Sequence, residues 1–378
     1  MFNRRRRFTE PPPGLISTVM GGGGVAFLFR DDFTTDEGAP LTSPRTAEPG
    51  PGAVTLVQDV GQWDITTQTL NANVGAGNFG DLSYVVEEQT LAAGLCAYTG
   101  NLNIPNSSGQ QIVGWASTAD PGTGSIWGLG FSGSSDLKIS TGNLLGAIGT
   151  YTGLTDYKVA IVSHTTTGLK MILKGGTFAE WTLLWVDLSS VKTRPTILCR
   201  NRDLSADTFR VTQLGAPFAS MYGLATDASL SGSVSAGNTF SHEADCLIEY
   251  TVTTVQSAGL MEVHFRIQDS PNYWGIRITA SGDINLQEVV DSVITNRGTA
   301  AGVIADGERV VIIADDESIK IYGDNTELIS YGSAANFKTE TDGEVDTLGT
   351  GGAVDALISW PRTLSGQALT ALNNVVNA

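Results

Sequence analysis

The sequence contains two similar segments separated by about the length of one domain. Residues 127–139 read WGLGFSGSSDLKI, and residues 274–286 read WGIRITASGDINL. Both begin with Trp-Gly, alternate apolar with small or polar residues, turn through Ser and Gly, and resume with Asp and further alternation. Successive side chains of a strand point to opposite faces, so this alternation is typical of half-buried strands. Each segment therefore predicts a β-hairpin.

Further matches follow in the same order along the chain. The strand-like run 157–162 corresponds to 308–313, and Trp115 corresponds to Phe265. The offsets of the aligned runs lie between 147 and 151 residues. Solenoid repeats have periods of roughly 20 to 50 residues. The longer period indicates duplication of a whole β domain.

Each half also contains an Arg-x-Leu-Ser element, at 202–205 and at 362–365. Ser365 can cap a helix. The apolar residues that follow it recur at helical spacing on one face, namely Ala368, Leu369, Leu372 and Val376. The counterpart at 205–214 is less periodic and is interpreted as a turn.

The composition agrees with two β domains. The 378 residues suffice for two cores, only 16% are charged, and Gly numbers 45. This profile suits short strands joined by small-residue turns rather than helical bundles. We predict an extended N-terminal arm at 1–24, a first β-sandwich at 25–215 and a second at 216–378.

The formal net charge of −17 excludes nucleic acid and anionic membranes as partners of the body of the protein. No stretch approaches the roughly 20 apolar residues of a membrane span. The three cysteines cannot all pair, and Cys96 and Cys246 occupy equivalent places in the two repeats. We expect buried free thiols.

The arm combines Arg4, Arg5, Arg6 and Arg7 with a proline run, a glycine run and a short apolar stretch between them. The apolar residues are Leu15, Ile16, Val19 and Met20. Two interpretations remain: a disordered tail, or an assembly anchor that adds a strand to another subunit while the arginines meet an acidic neighbour.

Residues 308–313 and 318–328 resemble the paired strands that hold Val-x-Val-Tyr-x-Asp-Gly in laminin-G-like members of the concanavalin A-like jelly rolls. Residues 354–365 resemble the closing strand and helix start of that family, with Gln367 where an acidic residue is usual. The resemblance implies an all-β fold of two tandem antiparallel jelly-roll sandwiches.

Residues 29–34 and 48–52 are similar to segments of tailed-phage structural proteins. This resemblance implies a non-enzymatic virion component: a head decoration, head fibre or tail protein. Its expected partners are other capsid or tail proteins, further copies of itself and a cell-surface glycan. The alternative is a secreted carbohydrate-binding protein or glycoside hydrolase of the same fold.

The sequence offers few candidates for chemistry. Glu344 and Asp346 resemble part of the carboxylate set of hydrolases with this fold, but Leu348 stands where a further Glu is expected, so we predict no catalytic residue. We predict no zinc site because the histidines lack ligand spacing. Calcium bound by loop acids is an alternative to plain turn acids, and the acids concerned are Asp315, Asp316 and Asp324.

Glycan binding by aromatic stacking is predicted for Trp181, Trp185 and Tyr273. Trp181 and Trp185 are four residues apart on one strand face and occur in the first repeat alone. Trp127 and Trp274 recur at the same place in both repeats, which is expected of core residues after duplication.

Overall fold

The computed structural model is almost entirely antiparallel β-sheet with one helix in its described part. It describes residues 27–39, 41, 45–46, 53–54, 63–72, 81–86, 94–104, 109–118, 125–133, 135–141, 144–164, 168–187, 193–200, 204–213, 228–234, 237–255, 259–349 and 353–377. The predicted arm and the predicted domain boundary near 215 lie outside these residues.

The strands of the first sandwich lie between residues 27 and 213. They are β1 (Phe27–Asp31), β2 (Arg45–Thr46), β3 (Ala53–Val54), β4 (Trp63–Thr66), β5 (Thr69–Ala72), β6 (Asp81–Val85), β7 (Gly94–Asn103), β8 (Gly109–Ala116), β9 (Ile126–Gly133), β10 (Asp136–Thr141), β11 (Leu144–Thr150), β12 (Asp156–His164), β13 (Gly168–Gly175), β14 (Phe178–Asp187), β15 (Arg194–Arg200), β16 (Leu204–Ala206) and β17 (Phe209–Gln213).

The second sandwich follows, and the chain then enters its helix. The elements are β18 (Ala228–Val234), β19 (Asn238–Ser241), β20 (Cys246–Thr254), β21 (Gly259–Asp269), β22 (Asn272–Thr279), β23 (Ile284–Val290), β24 (Val293–Ala300), β25 (Arg309–Asp315), β26 (Ser318–Gly323), β27 (Thr326–Tyr331), β28 (Asp342–Gly349), β29 (Ala353–Pro361) and α1 (Gly366–Asn377).

Each sandwich has an inner sheet, which faces the other sandwich, and an outer sheet. The first inner sheet contains the path β14-β13-β12-β7-β17-β1, and the second inner sheet runs β27-β26-β25-β20-β29-β18. The first outer sheet runs β11-β10-β9-β8-β15-β6, and the second runs β24-β23-β22-β21-β28-β19. The two orders correspond strand for strand, and the first sandwich adds β4, β5 and β16 to its inner sheet.

The register also agrees with the predicted duplication. Trp115 on β8 is opposite Trp127 on β9, and Phe265 on β21 is opposite Trp274 on β22. The sequence matches therefore identify the same hairpin of both sandwiches. The Arg-x-Leu-Ser elements do not correspond structurally, because the first contributes to β16 whereas the second leads into α1. The predicted turn at 205–214 is wrong, since the described part of this segment forms β16 and β17.

The two inner sheets pack face to face. Residues 159–163 and 169–173 are buried at every position, because one face of β12 and β13 packs on the first outer sheet and the other on the second sandwich. Residues of the second sandwich belong to the same apolar core as the first, among them Leu247, Val311, Ile313, Tyr322 and Trp360. The four sheets thus form a stack, and apolar burial of this kind is the main favourable term in folding.

The C-terminal helix is confirmed at the predicted place, but it packs against the first sandwich. Leu372 and Val375 join the core of the first sandwich. The guanidinium of Arg210 on β17 donates to the carbonyl oxygens of Val375 and Val376 at 3.4 and 3.3 Å, at the helix C-terminus. A cation is stabilising at that end of a helix dipole.

Cys199 and Cys246 are buried, as predicted, and neither forms a disulfide with a described residue. The side chain of Cys96 lies outside the description. The described residues contain no helix with the length and apolar character needed to cross a bilayer.

Candidate functional site

The solvent-facing side of the second outer sheet carries a compact group of polar side chains. Its opposite side packs into the core through alternate residues such as Val263, Phe265 and Trp274. Strand alternation therefore turns the intervening residues outward. We call this group the polar face, and its members are Glu262, His264, Tyr273, Arg277, Glu344 and Asp346.

The strand register brings these residues together from three strands. Glu262 on β21 is directly opposite Arg277 on β22 and Asp346 on β28. His264 is directly opposite Gly275 on β22 and Glu344 on β28. Cβ atoms of directly opposed residues are about 4.5–5.5 Å apart, so these side chains are neighbours.

The rings of His264 and Tyr273 stack on one another. Their centroids are 4.0 Å apart and their planes are inclined by 31°. Gly275 lies beneath them: a Cβ atom at this position would be 3.2 Å from Cδ2 of His264 and 3.3 Å from Cε2 of Tyr273. The absence of a side chain at residue 275 therefore gives the two rings room to approach.

Two polar contacts join His264 and Arg277 to the carboxylate of Glu262. Nε2 of His264 is 2.8 Å from Oε2 of Glu262, and Nε of Arg277 is 3.6 Å from Oε1 of the same carboxylate. Nε of Arg277 is buried and makes no hydrogen bond with any described residue. The guanidinium therefore retains hydrogen-bonding capacity.

The electrostatic environment of Tyr273 is acidic. Burial raises the pKa of its hydroxyl, and the negative charges of Glu262, Asp346 and Glu344 raise this pKa further, while Arg277 opposes them. The carboxylates of Glu344 and Asp346 make no side-chain hydrogen bond with the described residues. Two partly exposed acceptor groups beside a stacked pair of rings can accept hydrogen bonds from a ligand.

The equivalent face of the first sandwich has a different character. In the aligned registers, Glu262 corresponds to Ile112, His264 to Gly114, Tyr273 to Ile126, and Asp346 to Leu198. Ile112, Ile126 and Leu198 form a fully buried apolar cluster with Ala116. The same sheet position is thus apolar and covered in one copy, and polar in the other.

The structure separates the aromatic residues that the sequence grouped. Trp181 and Trp185 are at most 2% exposed, and the ring of Trp185 packs edge-on against Tyr322 at 5.0 Å between the two sandwiches. Neither indole is available for stacking on a sugar, which corrects that part of the prediction. Tyr273 is on the polar face. The predicted anchor residues Arg4 to Arg7, Leu15, Ile16, Val19 and Met20 lie outside the described residues.

The loop acids considered for calcium are engaged in other contacts. Asp315 accepts a hydrogen bond from Arg362 at 3.0 Å, and Asp316 accepts one from Lys338 at 2.7 Å. Asp324 accepts from the backbone N–H of Arg309 in a tight turn. Among the described residues, no group of three or more His, Cys, Asp or Glu side chains is arranged to hold a metal ion.

A cavity of about 470 Å³ lies at the seam between the sandwiches, and another of about 300 Å³ is lined by residues of the second sandwich. Both are lined by Asp245 and Thr363, and the larger is also lined by Asp315 and Arg362. Arg362 bridges the sandwiches, donating to the carbonyl oxygen of Leu183 at 2.8 Å and to Asp315. These groups connect the two domains.

Of the polar face, the sequence analysis predicted Tyr273 as a glycan-binding residue. It considered Glu344 and Asp346 as catalytic acids and rejected them, and it did not single out Glu262, His264 or Arg277 as site residues. The alternation in Met261-Glu262-Val263-His264-Phe265 was the available signal, because it places two ionisable residues on the face of the strand opposite to the apolar core.

Comparison with known proteins shows similarity in structure only. No protein-family description matches the sequence. No curated protein matches it. Similar solved structures include a galectin of Caenorhabditis elegans (6% identity, TM-score 0.30, 35% of this chain and 94% of the galectin). They also include a carbohydrate-binding module of Bacillus subtilis (13% identity, TM-score 0.25, 36% of this chain and 91% of the module). A third is the carbohydrate-binding module of a Ruminococcus gnavus sialidase bound to α2,3-sialyllactose (12% identity, TM-score 0.28, 39% of this chain and 98% of the module).

Proposed function

We propose that the protein binds glycans through the polar face of its second sandwich. The observation that carries the proposal is the stacked pair of His264 and Tyr273, flanked by carboxylates, on a sheet face whose duplicate is closed by apolar residues. Core packing does not require these polar residues, since the first sandwich forms the same fold with Ile112 and Leu198 in their place.

The chemistry of the face matches that of a sugar. A pyranose ring has an apolar side that can stack on an aromatic ring, and hydroxyl groups that donate hydrogen bonds. Tyr273 supplies the ring, Glu344 and Asp346 supply acceptors, and Arg277 supplies donors. Hydrogen bonds to charged groups contribute about 1.5–3 kcal/mol each.

Replacing the tyrosine tests the proposal. Tyr273→Ala should weaken binding to glycans on an array at least tenfold, equivalent to about 1.4 kcal/mol, and Tyr273→Phe should retain most of it. The matched control is Val293→Ala, an exposed site on β24 of the same sheet. Equal binding by Tyr273→Ala and the parent protein, with both folded, would exclude this face as the glycan site.

The proposed setting is a tailed-phage virion, in which the protein acts as a head decoration, head fibre or tail component with adhesive function. The support is the resemblance of 29–34 and 48–52 to phage structural proteins and the arm predicted from the sequence at 1–24. Deletion of 1–24 should leave the circular dichroism spectrum unchanged and abolish incorporation into virions. Replacing Arg4 to Arg7 with serine separates the role of the charge from that of the arm's length.

Glycoside hydrolysis is a second candidate, because Glu262 and Asp346 are cross-strand neighbours and such enzymes use a pair of carboxylates. Binding and hydrolysis are distinguished by whether the bound oligosaccharide is cleaved. A binding protein releases no reducing sugar from a bound oligosaccharide during prolonged incubation. A hydrolase does so and loses this activity in Glu262→Gln and Asp346→Asn.

A further inference from the structure

We propose that the polar face selects glycans that lack acidic groups, accepting neutral sugars and favouring sugars with a protonated amine. This inference rests on the proposed glycan-binding function and specifies its ligand. It follows from the arrangement of charged side chains around Tyr273.

Acidic groups outnumber basic groups on the polar face. Glu262, Glu344 and Asp346 contribute three carboxylates, whereas Arg277 contributes one guanidinium, which lies against Glu262 with 3.6 Å between Nε and Oε1. His264 is also directed at Glu262, with 2.8 Å between Nε2 and Oε2. Both basic side chains are therefore associated with the same carboxylate, and the other two have no basic partner among the six residues.

Glu344 and Asp346 are also the most ligand-accessible acids of the face. Each is partly exposed, whereas Glu262 is 6% exposed. They are two residues apart on β28, so both project from one side of the sheet. Their negative charges reach the Tyr273 hydroxyl and contribute to its raised pKa. A sugar stacked on Tyr273 would lie in the same negative potential.

The consequence for a ligand depends on its charge. A carboxylate or sulfate on the sugar would repel Glu344 and Asp346 at short range, where solvent screens poorly. A hydroxyl would donate to them, and an ammonium group would form a charge-assisted hydrogen bond, which is stronger than a neutral one.

The test uses the full chain on a glycan array with pairs that differ by one sialic acid, uronic acid or sulfate, and with chitotriose beside its deacetylated glucosamine trimer. Binding to each acidic member should be at least tenfold weaker than to its neutral partner. The glucosamine trimer should bind more tightly than chitotriose at pH 6, and this difference should decrease at high salt.

The double variant Glu344→Gln and Asp346→Asn keeps the shape of both side chains and removes both charges. It should reduce the discrimination between neutral and acidic partners at least fivefold. The matched control, Glu180→Gln with Asp136→Asn, makes the same change of net charge at exposed sites of the first sandwich.

Equal binding of acidic and neutral partners would overturn the selectivity while leaving glycan binding intact. Unchanged selectivity in the double variant would also overturn it, because the discrimination would then come from other groups. Absence of binding to every glycan would reject both this inference and the proposed function.

Discussion

Gly114 occupies, in the first outer sheet, the register position that His264 occupies in the second. The β8–β9 pairing places Gly114 opposite Gly128, and the β21–β22 pairing places His264 opposite Gly275. A Cβ atom at Gly114 would be 2.2 Å from the carbonyl oxygen of Trp127, so this position has no room for a side chain. The duplicated hairpin therefore supports a closed apolar surface in one sandwich and a histidine beneath a tyrosine ring in the other.

The first prediction concerns Gly275. In Gly275→Ala the new methyl group meets the rings of His264 and Tyr273 at 3.2 and 3.3 Å, so both rings must move by a few tenths of an ångström. We expect glycan affinity to fall about three- to tenfold, or about 0.7–1.4 kcal/mol, by calorimetric titration. The free energy of unfolding should change by less than about 1 kcal/mol.

Gly332→Ala is the matched control, because a Cβ atom at Gly332 meets nothing within 4 Å. It should bind glycan like the parent protein. Full affinity in Gly275→Ala would show that the ring pair tolerates displacement and does not position the ligand.

The second prediction concerns the contact between the sandwiches. The indole of Trp185 is fully buried, packs on Tyr322 at 5.0 Å, and has the guanidinium of Arg309 5.5 Å from its centroid. Trp185→Ala should lower the free energy of unfolding by about 3–5 kcal/mol. Leu154→Ala, at a 72% exposed position, should change it by less than about 0.5 kcal/mol.

Because the inner sheets share one apolar core, the parent protein should unfold in one cooperative transition. Urea unfolding followed by tryptophan fluorescence and by circular dichroism should give coincident curves. Two separate transitions, with Trp185→Ala affecting only the first sandwich, would contradict a shared core.

The duplication of the β-sandwich was predictable, because Trp115, Trp127, Phe265 and Trp274 mark the same hairpin in each repeat. The burial of Trp185 was not predictable, since a tryptophan between two packed sheets has the same sequence pattern as a tryptophan exposed for stacking on a sugar. Strand β28 was not predictable either, because Val345 is the only apolar residue between Asp342 and Thr347. Without that strand, Asp346 could not be placed beside Glu262.

The third prediction concerns Lys170, a fully buried lysine on β13 between the inner sheets. Burial lowers its pKa to about 8, and the charge of Glu249 opposes this shift. The other charged groups around Lys170 are Asp187 and Glu249, and Glu249 accepts a hydrogen bond from Arg309. Between the folded pKa and the ordinary value of 10.5, the unfolded state binds more protons, so stability rises with pH in this window.

From pH 7.5 to 9.5 this residue should add about 2 kcal/mol to the free energy of unfolding. Urea unfolding of the parent protein and of Lys170→Met at both pH values measures the contribution as the difference between their slopes. Identical pH dependence in the two proteins would show that Lys170 has an ordinary pKa.

The fourth prediction concerns His242, which lies at 3% exposure between β19 and β20. Its Nδ1 is 2.8 Å from the carbonyl oxygen of Glu243, and its Nε2 accepts from the backbone N–H of Arg266 at 3.0 Å. Nε2 also lies 3.2 Å from the carbonyl oxygen of Asp342. The N–H donated by Arg266 and the shorter contact of Nδ1 with Glu243 favour a neutral imidazole with the proton on Nδ1. Burial lowers the pKa of His242, and the nearby Arg266 guanidinium lowers it further. The backbone carbonyl groups of Glu243 and Asp342 and the negative charge of Asp342 oppose this shift.

A histidine with a depressed pKa destabilises the folded state in acid. Below the ordinary pKa of 6.5 the unfolded chain takes up a proton that folded His242 does not, so stability should fall as pH decreases from 6.5 until the folded pKa is reached. His242→Gln should reduce this slope by up to about 1.4 kcal/mol per pH unit in that window. An imidazole resonance of His242 that titrates at or above pH 6.5 in the folded protein would contradict the neutral assignment, because protonation would then cost no more than in water.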